Sequence, residues 1–219
     1  MKKLVLITVI LILLPTICMA QEVVKAEEII QKINNEEHIY YENVEIQGDL
    51  DLTTLKNKAK CVDGVRIYVN SHMTFVNCVF KGKIIGYYIN EEDKDWKALT
   101  YQKDLRFHDC VFEKEINWRH SNFMTYFFLI NCSVKADISF SGCCFYNKTD
   151  FRETIFKGNT KFNWAMFYQG VYFTDTVFEG IAYFKGTVSL GYLGLTEESF
   201  KDEYYFDNCF FIPMYSFNP

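Results

Sequence analysis

The chain has 219 residues, 49% hydrophobic and 18% aromatic, and a formal net charge of −5. That is enough apolar material for one sizeable core. The charges are scattered and include no basic run, so nucleic acid is not an expected partner.

The first twenty residues read as a leader. "MKK" is a basic start, "LVLITVILILLP" is apolar, and "TICMA" ends on a small residue before Gln21. The pattern predicts a signal peptide cleaved after about Ala20 and a secreted or periplasmic product. The apolar run is short for a bilayer crossing, and the mature chain has no second stretch long and apolar enough to span a membrane. Lipid anchoring at Cys18 is a second reading, weakened by the bulky Ile17 before it. Without Cys18, seven cysteines remain of the eight: Cys61, Cys78, Cys110, Cys132, Cys143, Cys144 and Cys209. Export permits disulfides, and an odd number leaves at least one thiol free or paired between chains. No CxxC occurs and the four histidines are far apart in sequence, so no metal site and no cofactor is expected.

Residues 21–43 are expected to form a capping helix and an entry segment. In "KAEEIIQKIN", 25–34, Ala26, Ile29, Ile30 and Ile33 fall on one helical face, suited to covering an open end of a repeat stack. A single domain is expected over 44–211. "VEIQGDLDLTTL" directs Val44 and Ile46 inward, turns near Gly48 and resumes with Leu50 and Leu52. Val62, Ile67, Val69, Met73 and Phe75 continue the inward series. The interval 85–103, rich in charge, is expected to be an interrupting loop.

From 107 onward rings recur at alternating spacings of five and six. One series holds Phe107, Trp118, Leu129, Phe140, Phe151, Phe162, Phe173 and Phe184; the other holds Phe112, Phe123, Val134, Phe145, Phe156, Phe167 and Phe178. The second series fails at Ser189. Leu195 and Phe206 then resume the first, Phe200 and Phe211 the second. Two residues before each ring stands a small or branched residue, such as Cys110, Ser121, Thr154 or Ala165. A spacing of two puts both on one side of a short extended segment. Neither 3.6 nor strict alternation explains this period. A chain that repeats two inward residues and a turn must coil, and stacked coils bury what one coil cannot. The alternation admits a coil of four faces, spaced five, six, five and six, or of two faces, spaced five and six. Four is preferred, because two faces leave thin space for opposed phenylalanines. The structural core is therefore assigned to Phe107, Phe112, Trp118, Phe123, Phe140, Phe145, Phe151, Phe156, Phe162, Phe167, Phe173, Phe178, Phe184, Phe206 and Phe211. Residues 212–219 form a C-terminal tail.

"ADISF" at 136–140, "FKGNTKFNWAMF" and "FTDTVFEGIAYF" resemble the pentapeptide-repeat family, in its phenylalanine-rich subtype with alternating fives and sixes. The resemblance covers about 73–211. It implies an all-β fold: a right-handed quadrilateral parallel β-helix, or β-solenoid, here with a short N-terminal capping helix and an export signal. It also implies end-to-end dimers, which would place self-association at the aromatic C-terminal end.

The candidate functional residues lie between the rings. Ile155 and Val177 on one face, and Met166 and Cys144 on the next, are outward and mostly apolar, and they are assigned as a candidate interaction surface. A second outward set is Arg106, Phe128, Asp150 and Tyr172, suited to a flat ligand or glycan. Asp104, Asp109, Glu113 and Glu115 are close in sequence, as paired catalytic carboxylates would be, but turns on a convex surface suit solubility better. No catalytic residue is assigned. The reading is a non-catalytic extracytoplasmic β-solenoid that presents a surface to an unknown protein partner or to itself, or serves as an envelope spacer. The alternative is an envelope polysaccharide-binding or -cleaving β-helix. The remote alternative, drawn from the resemblance, is a DNA-mimic inhibitor of a topoisomerase; the interspersed lysines and the leader count against it.

Overall fold

The computed structural model describes residues 21–92 and 95–212. Short parallel strands follow one another around a four-sided coil. In one coil the first face is Leu105–His108, the second Val111–Phe112, the third Ile116–Asn117 and the fourth Asn122–Phe123. From Leu105–His108 to Met166–Phe167 each strand pairs in parallel with its counterpart one full circuit later, as in Ile116↔Ile138, Asn122↔Cys144, Phe127↔Thr149 and Ser133↔Ile155. The coil therefore has four faces, and its sequence period is i to i+22 rather than i to i+11. Among the described residues the faces carry six, seven, seven and nine strands.

The period follows from the rings. Phe140 stacks on Phe162 and Phe151 on Phe173, each with centroids 5.0 Å apart and planes 6° apart. Phe123, Phe145 and Phe167 form a continuous column at 4.7 and 4.8 Å. Columns from different faces meet edge to face, as Phe151 and Phe162 do at 5.4 Å and 74°. Both geometries suit the ring quadrupole. The core phenylalanines from Phe107 to Phe184, with Trp118, are at most 1% exposed. Phe206 stacks on Phe184 at 4.7 Å but is only half-buried, as is Phe211, because both belong to the last described coil.

Small residues turn the corners. From each first-series ring the chain makes a turn whose third residue has positive φ, for example Glu153, Trp164 and Asp175. The fourth residue is the small one, and its N–H donates back to the ring residue's carbonyl, as Thr154 does to Phe151 and Ala165 to Phe162. Its side chain then reaches the coil before. The hydroxyls of Thr176 and Thr187 donate at 2.8 Å to the carbonyls of Phe151 and Phe162, and the thiol of Cys143 does so to Trp118. Threonine and cysteine suit the position because a buried carbonyl lies within reach, whereas the Ser121 hydroxyl finds no partner among the described residues and Ala165 needs none. On the corner between the second and third faces, Gly82 lies so close to Gly48 that a Cβ there would overlap the Gly48 carbonyl.

Three expectations need correction. The interval 85–103 is not a loop. Tyr87–Ile89 pairs antiparallel with Trp96–Tyr101, and the second strand is an integral rung of the fourth face. A similar hairpin, Lys58–Cys61 with Gly64–Val69, sits one coil earlier. The residues of the later hairpin, 87–101, stretch the step from Phe75 to Phe107, its partner one coil on, beyond the regular 22. Val62 does not point inward: it is 98% exposed at the tip of the first hairpin. Finally, the sheets begin before residue 44. Glu22–Lys25 starts the second face and Ile39–Glu42 the first. Between them the helix Ala26–Asn34 buries Ala26, Ile29 and Ile33 against the first coil.

Phe167 is buried in the ring column, whereas Lys161 is exposed on the same coil. Phe167→Ala should cost about 3–5 kcal/mol by leaving a cavity. Lys161→Ala should change stability by no more than about 0.5 kcal/mol. Urea denaturation of both variants checks the pair.

Candidate functional site

The four assigned interaction residues do not share a surface. Ile155 and Val177 are on the second face, Met166 and Cys144 on the fourth. In a four-sided coil these faces are opposite. Beyond Glu45, which pairs in register with Val79, the second face carries an uncharged row of half-buried outward residues, Val79, Val111, Ser133, Ile155 and Val177, one per coil. The fourth face carries Asn122, Cys144, Met166, Val188 and Phe210.

The first face is closed on itself. Asp150 is fully buried although its side chain is on the outer side of the strand. Arg152 grips its carboxylate with two nitrogens, at 2.9 and 2.8 Å, and Lys148 approaches to 4.0 Å. Lys148 also lies over Tyr172 at 4.6 Å, and Arg106 over Phe128 at 5.2 Å. Cations and rings on this face satisfy one another, which leaves little for a ligand.

The sequence-adjacent carboxylates are also dispersed and matched. Asp104 pairs with Arg106 at 2.6 Å, Asp109 accepts from Asn131, Glu113 lies between Lys81 and Lys135, and Glu115 meets Lys83 at 3.0 Å. No pair shares a cleft, so the geometry of glycoside hydrolysis is not assembled from them. Among the described residues no group of three or more His, Cys, Asp or Glu is placed to hold a metal ion.

Among the described residues the cysteines are free. Cys78, Cys110, Cys132 and Cys143 are buried, Cys144 and Cys209 half-buried, and Cys61 exposed. Burial pushes the Cys143 thiol far above its ordinary pKa. For Cys78 and Cys110 the larger cause is the thiol on the next coil, Cys110 and Cys132 respectively. These groups are held as thiols and are poor nucleophiles.

The least expected feature is the corner between the third and fourth faces. Its positive-φ column runs His120, Gly142, Trp164, Gly186 and Asn208. Large and glycine residues alternate because the large side chain leans along the axis. A Cβ on Gly186 would overlap the Trp164 ring, and one on Gly142 would overlap the His120 ring. Trp164 has φ of 59° and remains 63% exposed. Beside it the outward residues of the third face form a ladder, Asn117, Ser139 and Lys161. Ladder and corner enclose an open groove of about 600 Å³, with Arg119 and His120 at its other end. Arg119 lies over Tyr87 at 5.1 Å, and Arg66 over Trp96 at 5.0 Å while donating to the His120 carbonyl. The His120 imidazole is held below its ordinary pKa, first by burial, then by Arg119 and Arg66. The sequence signal for this groove was a tryptophan one coil before a glycine, easily mistaken for one more core ring.

This architecture is that of a β-solenoid. Residues 140–188 match the model for pentapeptide repeats, in nine copies. No curated protein and no solved structure matches the chain.

Two experiments check these assignments. Alkylation of the native protein at pH 8 should modify Cys61 first and Cys144 slowly. It should leave Cys78, Cys110, Cys132 and Cys143 unmodified until the chain is denatured, as read by mass spectrometry. Asp150→Ala should cost about 1–3 kcal/mol, because its hydrogen bonds to a cation are lost while Arg152 can turn to solvent.

Proposed function

We propose that this protein is a non-catalytic, exported β-solenoid of the phenylalanine-rich pentapeptide-repeat type that acts by presenting an outer face to a protein partner. The observation that carries this reading is the uncharged row Val79, Val111, Ser133, Ile155 and Val177. It runs along one face at a rise of about 4.8 Å per coil. A half-buried, uncharged and mostly aliphatic row of this length suits contact with another protein. Buried titratable groups support the reading from the other side: the Cys78, Cys110 and Cys143 thiols are raised, the Tyr101 phenol is raised by burial, and the Asp150 carboxylate is locked to Arg152. No helix among the described residues is long and apolar enough to cross a membrane. The basic, apolar, small-residue leader supports export; it lies in 1–20, outside the described residues, as does the C-terminal 213–219.

A photo-crosslinking residue at Ile155 tests the face. It should give one discrete adduct in cells, with a partner or a second copy, and Val177→Lys should abolish it. A probe at exposed Lys157 on the next corner should give none. Equal adducts from both positions would remove the second face from the reading. The mature chain should begin at Gln21 in an extracytoplasmic fraction; recovery from the cytosol with Met1 intact would remove export.

A further inference from the structure

We infer that the groove at the corner of the third and fourth faces binds an acidic oligosaccharide, with Trp164 as its stacking platform. The argument starts from a cost. A bulky residue at positive φ is disfavoured, and in this corner Trp164 shares that conformation with His120, whereas the other positions are Gly142, Gly186 and Asn208. Burial does not offset that cost for Trp164, which is 63% exposed. Backbone strain carried by an exposed ring is a mark of a functional position.

The surroundings define the ligand. Gly186 lets the indole lie flat against the corner, so one broad face is offered outward. Gly142 is midway between His120 and Trp164 and is covered by the His120 ring, which forms that part of the groove wall. Along the groove, Asn117, Ser139 and Lys161 stand on successive coils about 4.8 Å apart. The Asn117 and Asn163 carbonyl oxygens accept backbone N–H groups from Arg119 and Lys185, which turns their amide N–H groups away to face a ligand. An exposed ring beside a ladder of hydrogen-bonding groups matches a sugar, with its C–H face on the indole and its hydroxyls on the ladder.

Charge narrows the class further. Arg119 and Lys161 line the groove together with Glu115 and Asp137, and Glu115 is neutralised by Lys83 at 3.0 Å, which leaves two cations facing one acid. Asp137 accepts the Asn159 backbone N–H at 2.9 Å. The balance favours a carboxylate-bearing sugar. A peptide adding as a strand is disfavoured, because the strands lining the groove are paired on both sides. This site is separate from the apolar row of the second face, so either reading stands or falls without the other.

Titration calorimetry at low salt, with an oligogalacturonide and a neutral cello-oligosaccharide of equal length, tests the assignment. The native protein should bind the oligogalacturonide at least about tenfold more tightly, a difference of about 1.4 kcal/mol. Trp164→Gly should abolish that binding while its Tm stays equal or rises, since glycine suits the backbone there. Arg119→Gln should remove the preference for the acidic sugar. Absence of binding by the native protein, equal affinity for the two sugars, or unchanged affinity in Trp164→Gly would each overturn the assignment.

Discussion

The whole structure depends on one contact, a phenyl ring lying on the equivalent ring of the next coil. With centroids near 5 Å, as in Phe140 on Phe162, the ring spacing equals the spacing of parallel strands. The same step therefore satisfies aromatic packing and backbone hydrogen bonding together. Any residue added to a coil must leave it without moving the rings. The two hairpins do this by projecting from the edge of the fourth face, after which Phe107 returns over Phe75 at 5.2 Å.

Once rings fill the axis, the corners have little freedom. A small residue must follow each first-series ring, and the residue between must accept positive φ. At the corner of the first and second faces that residue is Asn43, Asn77, Asp109, Asn131, Glu153 or Asp175, mostly the types that tolerate the left-handed region. The opposite corner breaks this economy with His120 and Trp164, and it is also where the surface becomes concave. Function in such a fold must be read from departures like this, because the repeat itself encodes only packing.

Much of the architecture was legible in the sequence, since each ring restates the same constraint. The alternation of five and six residues revealed the coil, and the helix at 26–34 was visible in its apolar face. The four-face alternation already separates Ile155 from Met166. Positions 11 apart look alike in sequence, yet their faces are opposite rather than adjacent, because the coil closes after two such units. The hairpins were hidden for another reason. Their strands alternate weakly, and Lys58–Cys61 is exposed throughout. The Asp63–Gly64 dipeptide was the available sign of a tight turn, and it explains why Val62 is solvated. Trp164 was legible as an aromatic but not as an exposed one, since only the backbone phase separates it from Phe162 and Phe167. The stretch 140–188, where rings are least interrupted, is also the part that matches the pentapeptide repeat.

The central claim is that each coil closes after two five-plus-six units and advances one strand spacing. Spin labels at outward Val79 and Val177, four coils apart on the second face, test it most directly by double electron–electron resonance. The Cα positions should lie about 19 Å apart, four rises of about 4.8 Å, with a narrow distribution. A separation beyond about 35 Å, as a coil of half the length would give, would contradict the account.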